Sequence, residues 1–361
     1  MVQESQRAGL IHGLINSTFI EIIPKADKPA TFDDFRPISL CNCLYKIISK
    51  MIAKWLKMII SKNIYGEQFG FLEGRQIHEA ICVAQEGLHS IKSLKVGGVV
   101  LMIDLSKAYD RVNWLYIRML MTHLGFSLEF IRWTMSYLTY VSFTILINGA
   151  TSRVFNSQRG LYQGFHLSPL LFLLMEEGLS RYLKVATDEG NLQGIRISRE
   201  ITISHLLFVY DILIFCDGSR RGIDCLVEGL ELFKRETGMM INVAKSNLVC
   251  NLVQEADLLY MKSKILFISQ LMDEGIKYLI FHFKLNTYRK EDWHWLIGKL
   301  ENRILRWSNR WLSMADRLVL IKSVLEAISV YWMSLAWIPK GILETAQRLC
   351  FSYLWRGNKE N

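Results

Sequence analysis

Apolar and polar residues follow one another along the chain with periods that predict both helices and strands. Residues 17–36 predict two short, β-branched strands around a polar turn. A 3.6-residue apolar period predicts a helix over residues 44–62 with an outer basic face. The lysines of this face lie at spacings of 4, 4 and 3 and are Lys46, Lys50, Lys54 and Lys57. This first basic stripe is either a solvated face or a surface that binds phosphate groups.

Two apolar segments end in an aspartate. Residues 99–103 are an unbroken apolar run followed by Asp104, which predicts a strand buried on both faces. Residues 206–209 and 212–215 are further apolar runs, separated only by Tyr210 and Asp211, which predicts a hairpin with an acidic tip. One such aspartate more often caps a helix or anchors a loop. Two carboxylates held within about 8 Å would instead suit a hard cation such as Mg²⁺.

Local signals predict where several other elements begin and end. One helix ends before Gly125, and the next begins at Ser127. Asn148 and Gly149 predict a two-residue hairpin turn. Ser168 predicts the N-cap of a helix that runs to about residue 183, because a proline follows it.

The tail from about residue 292 predicts helices and carries a second basic stripe. Its members lie at spacings of 4, 3 and 4 and are Lys299, Arg303, Arg306 and Arg310. Trp307 and Trp311 are interleaved with these cations. A basic face with aromatic residues suits nucleic acid, and a solvated helix face is the alternative.

Composition narrows the classes of protein. The chain has 361 residues, 51% of them apolar and 21% charged, which excludes a disordered chain. The net charge of +9 favours a polyanionic partner. Seven cysteines, an odd number, argue against a closed disulfide framework, and Cys41 and Cys43 are expected to be packed thiols rather than metal ligands. No segment predicts a signal peptide or a membrane span, so we expect an intracellular protein, nuclear or cytoplasmic.

Short motifs occur in a fixed order along nearly the whole chain. They occupy residues 16–25, 35–50, 68–75, 104–111, 159–169, 208–211, 238–246 and 277–279. Each is weak alone, but together and in this order they resemble the reverse transcriptase of non-LTR, LINE-type retrotransposons, particularly the plant branch. The resemblance implies an α+β right-hand polymerase that makes DNA from dNTPs on an RNA template with a DNA primer, using two Mg²⁺ ions. We expect no membrane association and no obvious protein partner.

The resemblance also implies domains. Residues 1–98 would form the fingers, residues 99–285 the palm and residues 286–361 a helical thumb. Residues 139–167 would contribute part of the fingers within the palm segment.

The resemblance assigns roles to individual side chains. Asp104 would hold both metals, Asp211 would be the second carboxylate, and Lys245 would be a candidate acid for the pyrophosphate. The expected nucleotide contacts are Lys25 and Arg36 on the triphosphate, Tyr109 as the steric gate against a ribose 2′-hydroxyl, and Gln163 and Gly164 beside the template base. Arg75 and both basic stripes would bind nucleic acid. Tyr109 as a plain core residue and Lys25 as a surface lysine stay open as alternatives.

Several residues depart from the family pattern. Tyr210 stands where the family has the first aspartate of its hairpin, and a neutral phenol is a poor Mg²⁺ ligand. Tyr162 replaces an arginine, the pair Phe165 and His166 replaces Asp-Pro, and Ile280 replaces a glycine. The endonuclease and the zinc-binding and RNase H segments expected in the family do not occur in the sequence. We therefore expect a degenerate or partial copy with impaired activity. The alternative is a non-catalytic remnant that binds RNA or DNA through its basic faces.

Overall fold

The chain forms two compact units in the computed structural model, which describes most of its length. The described residues are 2–11, 15–25, 27–94, 97–271, 275–279, 281–283, 288–308, 311–333 and 336–356. The first unit comprises residues Met1–Met272 and the second Asp273–Asn361. The expected fingers therefore lie in the first unit, as does the expected palm except for its last residues. The names fingers, palm and thumb stay predictions.

Helices and strands alternate through the first unit. Its helices are α1 Val2–Ala8, α2 Cys43–Asn63, α3 Ile77–Ser93, α4 Ala108–Arg111, α5 Trp114–His123, α6 Leu128–Thr139, α7 Leu167–Asp188, α8 Arg220–Thr237 and α9 Glu255–Lys264. Its strands are β1 Ser17–Pro24, β2 Phe35–Cys41, β3 Gly98–Asp104, β4 Ser142–Ile147, β5 Ala150–Thr151, β6 Phe155–Asn156, β7 Ile195–Arg196, β8 Thr202–Ile203, β9 His205–Phe208, β10 Asp211–Cys216, β11 Asn247–Asn251 and β12 Ile268–Leu271.

The strands form two larger sheets in this unit. The first has the order β2-β1-β4-β5, with β6 also paired to β4, and β1 runs antiparallel to β2 but parallel to β4. The second has the order β12-β11-β3-β10-β9, in which only β11 and β12 are parallel. Strand β3 is central because its residues are apolar on both faces and are almost wholly buried.

One continuous core joins these sheets to the helices around them. Helix α7 supplies its most buried segment, since residues 170–175 are apolar all round and buried. Helix α2 buries one face and exposes the other, as its apolar period predicts. The core thus fixes β3, the β9–β10 hairpin and α7 relative to one another.

The second unit is built from a small hairpin and helices. It contains β13 Ile276–Tyr278, β14 Phe281–Phe283, α10 His294–Ser308, α11 Met314–Leu320, α12 Glu326–Met333 and α13 Lys340–Arg356, with a π-helical stretch Ile321–Leu325 between α11 and α12. Its core includes Leu300, Ile321, Leu325 and Tyr353. Trp307 packs near Tyr353, with ring centroids 5.8 Å apart, so this tryptophan belongs to the core rather than to the basic face.

The structure confirms most of the predicted elements and corrects both ends of one helix, α7. The helix over residues 44–62, the strand that ends in Asp104 and the turn at Asn148 are present. Ser168 is not an N-cap, because α7 already begins at Leu167 and the Ser168 hydroxyl donates to the carbonyl of Tyr162 at 2.7 Å. The helix also runs to Asp188, beyond the predicted end. Among the helices in the described ranges, none is long and apolar enough to cross a membrane.

Candidate active site

The β9–β10 hairpin brings Asp211 to the end of the central strand. Its turn consists of Val209 and Tyr210, and Asp211 is the first residue of β10. In the antiparallel register Asp211 is the direct partner of Asp104 on β3. Directly opposite residues on one face have Cβ atoms about 4.5–5.5 Å apart. The two carboxylates predicted to share a cation are therefore neighbours.

The segment after α8 fixes the backbone of Asp104. The Asp104 amide donates to the Ser246 hydroxyl at 3.1 Å, and the Asp104 carbonyl accepts from the amide of Asn242 at 2.8 Å. The amide of Ser106 donates to the carbonyl of Met240 at 2.7 Å. Lys245, in the same segment, is exposed. The predicted motif 238–246 thus supports the strand end that carries Asp104.

The two aspartates repel each other when both are ionised. Burial, and then the charge of Asp104, raise the pKa of Asp211 to about 6. A cation between the carboxylates would remove this repulsion. Two carboxylates suit one Mg²⁺ ion that keeps several waters. Within the described part of the chain, no group of three or more His, Cys, Asp or Glu side chains could hold a metal, so the donor set fits one ion better than a two-metal cluster.

Tyr210 lies in the turn rather than opposite Asp104. Its side chain is 46% exposed, and the preceding Val209 has a positive φ of 59°. A two-residue turn with positive φ at its first position favours glycine there, so a β-branched residue is strained. The backbone register pairs Asp104 with Asp211, so residue 210 lies one position before that pair, and we keep as a prediction that a side chain at position 210 reaches the site of Asp104.

Tyr109 sits beneath this turn, stacked on α7. Its ring lies 5.3 Å from that of Phe172 at an interplanar angle of 22°. Burial, then the charges of Glu176 and Tyr210, raise its pKa to about 12. The phenol is thus neutral at physiological pH, and it is half-buried, which is compatible with either a steric gate or a core tyrosine.

A buried carboxyl on α7 went unnoticed in the sequence. Glu176 is completely buried, and burial raises its pKa well above the ordinary value, with the nearby charge of Asp211 adding to the effect. Its Oε2 accepts from Nε2 of Gln68 at 2.8 Å, whereas its Oε1 has no hydrogen-bond partner in the described structure. An acidic residue directly after six apolar residues of a buried helix was the signal that could have found it.

The loop 67–70 is bonded to the outer strand of the hairpin. The amide of Phe69 donates to the carbonyl of Leu207 at 2.9 Å, and the amide of Leu207 donates to the carbonyl of Glu67 at 2.8 Å. Gly70 lies against the turn, and a Cβ added to it would stand 2.9 Å from Cγ2 of Val209. This loop therefore restrains the strained turn before Asp211.

The expected triphosphate contacts lie around the β1–β2 turn. Lys25 and Arg36 are exposed on either side of it. The Lys25 ammonium donates to the carbonyl of Asp33 at 2.7 Å. Lys107, which was not predicted, forms an ion pair with Asp33 at 2.6 Å. The feature of the sequence that could have identified Lys107 is its position three residues after Asp104.

Gln163 and Gly164 lie beside strand β2. The amide of Ser39 donates to the carbonyl of Gln163 at 3.1 Å, and Gly164 has a positive φ of 98°. The unusual Tyr162 and Phe165 are both buried, with ring centroids 5.4 Å apart. These departures from the family pattern therefore build an aromatic core under the segment.

The predicted nucleic-acid contacts differ in their surroundings. Lys46, Lys50 and Lys54 are exposed on α2, whereas Lys57 is half-buried and pairs with Glu73 at 3.3 Å. The exposed residues of the second stripe, all on α10, are Lys299, Arg303 and Arg306. Arg310 lies outside the described residues.

Arg75 is engaged by its own loop. Its guanidinium donates to the carbonyls of Tyr65 at 2.5 Å, Gln68 at 2.6 Å and Ile64 at 3.1 Å. These bonds give Arg75 a structural role after α2, and a contact with nucleic acid stays a prediction.

Comparison with known proteins identifies relatives for parts of the chain. A 149 kDa transposon TX1 protein of Xenopus laevis is 26% identical over 158 residues, which are 44% of this chain and 12% of that protein. A Pol polyprotein of the type-2 retrotransposable element R2DM of Drosophila melanogaster is 27% identical over 226 residues, 62% of this chain and 20% of its own length. An uncharacterized mitochondrial protein of Arabidopsis thaliana is 46% identical over 67 residues, 18% of this chain and 55% of its own.

Solved structures share the fold. Telomerase of Candida tropicalis in complex with a fragment of telomeric RNA has a TM-score of 0.54 at 10% identity, over 95% of this chain and 55% of its own. The apo enzyme gives 0.51 at 12% identity, over 94% of this chain and 58% of its own. The sequence pattern of the family described as reverse transcriptase (RNA-dependent DNA polymerase) matches residues 23–283. This match covers the whole second sheet, the first sheet apart from residues 17–22 of β1, and the Asp104–Asp211 pair. The chain belongs to the reverse transcriptase family as a domain of the non-LTR retrotransposon type.

Proposed function

We propose that this chain is the polymerase domain of a non-LTR retrotransposon, built to synthesise DNA on an RNA template from dNTPs. The observation that carries the proposal is the direct cross-strand pairing of Asp104 with Asp211 within the segment that matches the family. Residues 1–98, 99–285 and 286–361 would serve as fingers, palm and thumb. The plant branch of the family is supported by the motifs and by the Arabidopsis relative.

The carboxylates of Asp104 and Asp211 would hold Mg²⁺. When bound, the metal would activate the primer hydroxyl and stabilise the leaving pyrophosphate. The raised pKa of Asp211 supports this role, because a site that disfavours a second negative charge gains most from a cation.

Other side chains would bind and orient the nucleotide and the template. Lys25 and Arg36 would donate to triphosphate oxygens from the exposed β1–β2 turn. Tyr109, held by its stacking on Phe172, would occupy the space of a ribose 2′-hydroxyl. Gln163 and Gly164 would face the template base, and Lys245 is the candidate acid for the pyrophosphate.

Tyr210 is expected to impair this activity. The family has an aspartate at this position, so the phenol removes one oxygen ligand and one negative charge from the end of the hairpin. With two carboxylates instead of three, we expect weaker metal affinity and a two-metal arrangement that assembles rarely.

A non-catalytic remnant that binds RNA or DNA is the second candidate. The exposed cations on α2 and α10 support it, because phosphate contacts do not depend on the metal site. Such a protein would keep the affinity of the domain for nucleic acid and lose its chemistry.

Primer extension separates the two candidates. The chain is incubated with an RNA template, a DNA primer, dNTPs and Mg²⁺ or Mn²⁺, with Asp104→Asn as the matched control. Extension that disappears in Asp104→Asn supports the polymerase. Salt-dependent binding of the same template and primer without extension supports the remnant, and the absence of both binding and extension contradicts both.

A further inference from the structure

The β1–β2 turn places one residue, Asp33, in contact with two lysines. The Asp33 carboxylate pairs with the Lys107 ammonium at 2.6 Å, and the carbonyl of the same residue accepts from the Lys25 ammonium at 2.7 Å. Asp33 therefore engages both cations at once. Lys107 lies just after β3, whereas Lys25 and Asp33 lie on the turn, so the Lys107–Asp33 pair ties the turn to the segment that follows Asp104.

The turn is held in the shape that presents Asp33. The Asp34 carboxylate accepts from the amides of Ala30 and Thr31, both at 2.9 Å, and the amide of Lys25 donates to the carbonyl of Asp34 at 2.7 Å. Because Asp34 closes the turn by itself, the carboxylate of Asp33 has no structural bond to the turn in the described structure. Its one ion pair is with Lys107.

The two lysines also act on the short helix α4 that follows Asp104. Burial raises the pKa of Asp110, and the charges of Lys107 and Lys25 lower it in part. Both cations are therefore near the short helix that follows Asp104. Two ammonium groups so placed present several charge-assisted donors to one multivalent anion, which is how Lys side chains bind phosphates.

We propose that Asp33 is an internal competitor of the nucleotide, holding Lys25 and Lys107 in the positions that the β- and γ-phosphates of an incoming triphosphate would take. The inference rests on the proposed function and adds Lys107 as a second triphosphate-binding lysine. Binding of the triphosphate displaces the Asp33 carboxylate from Lys107, and the phosphate oxygens then accept from both Lys107 and Lys25. Without nucleotide, the same pair keeps the turn docked.

The expected size of the effect follows from the exposure of the pair. The side chains of Lys107 and Asp33 are 54% and 71% exposed. Exposed ion pairs are weak, so removing this competitor should tighten triphosphate binding by about two- to fivefold. The gain should shrink as the ionic strength rises, because exposed charges are screened.

The test compares two substitutions that change the net charge equally. Asp33→Asn removes the carboxylate that pairs with Lys107 and keeps the backbone carbonyl that accepts from Lys25. Asp27→Asn removes a charge of the same turn whose side chain forms no ion pair in the described structure. Binding of inorganic triphosphate and of dTTP is measured by calorimetry at low salt without divalent cations. We expect Asp33→Asn to bind both ligands more tightly than Asp27→Asn, and we expect the gain to vanish in Asp33→Asn combined with Lys107→Met.

The outcomes distinguish this inference from the proposed function. Equal affinities of Asp33→Asn and Asp27→Asn, with clear binding by both, would overturn the competitor role and leave the nucleotide site standing. A gain for inorganic triphosphate alone would overturn the nucleotide as the ligand and indicate a site for free polyphosphate. No binding of dTTP by any variant would contradict the proposed nucleotide site itself.

Discussion

Asp104, the last residue of β3, lies directly opposite Asp211, the first residue of β10. The pairing puts two carboxylates at adjacent strand ends, and the pKa of Asp211 rises to about 6 as a result of burial and of the Asp104 charge. Folding of the hairpin therefore brings two carboxylates together, and their repulsion is an electrostatic cost to the folded state. Such a cost is typical of a site that is completed by a cation.

Replacement of Asp211 by Asn should stabilise the fold at pH 7.5. The pKa of Asp211 is higher in the folded than in the unfolded chain, so its ionisation disfavours folding above about pH 6, and this cost disappears as the pH falls toward 4. We expect a gain on the order of 1–2 kcal/mol at pH 7.5 and none near pH 4. Urea denaturation at both pH values measures the difference.

Mg²⁺ should reverse the order of stability of the parent protein and Asp211→Asn. The ion binds the folded parent through both carboxylates, so millimolar Mg²⁺ should raise the melting temperature of the parent more than that of Asp211→Asn. Asp27→Asn serves as the control for a general charge effect. An equal Mg²⁺ response in all three proteins would contradict a metal site at this pair.

Gly70 should be intolerant of a side chain. An added Cβ would stand 2.9 Å from Cγ2 and 3.1 Å from the amide nitrogen of Val209, in the strained turn before Asp211. Gly70→Ala should therefore destabilise the protein by about 1–3 kcal/mol, the usual cost of overpacking. Gly66→Ala is the matched control, since a Cβ there meets nothing within 4 Å. Equal unfolding midpoints for both variants would show that the turn at Val209 accommodates the added methyl group without loss of stability.

Reversal of the α10 cations should weaken nucleic-acid binding and flatten its salt dependence. Replacing Lys299, Arg303 and Arg306 by Glu removes three exposed positive charges from one face. If each contacts a phosphate, the slope of log K against log salt should fall by about one unit per residue. Fluorescence anisotropy with a template–primer duplex over a salt series measures both quantities.

A control with the same charge change tests whether the α10 face is specific. Lys322 is exposed on the π-helical stretch, and Lys340 and Arg348 are exposed on α13, so none of the three lies on α10. Their replacement by Glu should change the slope less. If both triple variants behave alike, the α10 face is an ordinary solvated surface.

The sequence predicted the elements of this site better than their connections. The apolar runs on either side of Tyr210 and Asp211 predict the hairpin, because a two-residue gap between strands permits little else. They do not reveal which of the two residues faces Asp104. That depends on the turn type, and Val209 adopts a positive φ that its residue type disfavours.

Tertiary contacts explain the other differences. Arg75 looks like a free cation in the sequence, but the carbonyls of the loop after α2 accept hydrogen bonds from its guanidinium. Lys107 and Asp33 are 74 positions apart, and only the meeting of the β1–β2 turn with β3 pairs them. Glu176 follows an apolar run, so its burial was predictable, whereas its bond to Gln68 was not.

Tyr210→Asp should restore Mg²⁺-dependent primer extension at least in part. Residue 210 lies in an exposed turn next to the Asp104–Asp211 pair, so a carboxylate there adds a third oxygen ligand without disturbing the core. Aspartate is also a favourable turn residue. The measurements are primer extension on RNA and the binding of Mn²⁺, and both should increase over the parent.

Tyr210→Asp has two effects: it removes the phenol and it supplies a carboxylate. Tyr210→Asn separates them, because it removes the phenol without supplying a charge. If the missing ligand is decisive, Tyr210→Asp should bind Mn²⁺ more tightly than Tyr210→Asn and should alone extend primers. Equal gains in both variants would mean that the phenol obstructs the site. A parent that already extends as well as Tyr210→Asp would contradict the role assigned to Tyr210. If no variant extends primers, the buried Tyr162 and Phe165 are the next candidates for the cause of inactivity, since they replace residues of the family pattern. Binding of nucleic acid through the basic faces would then be the remaining function.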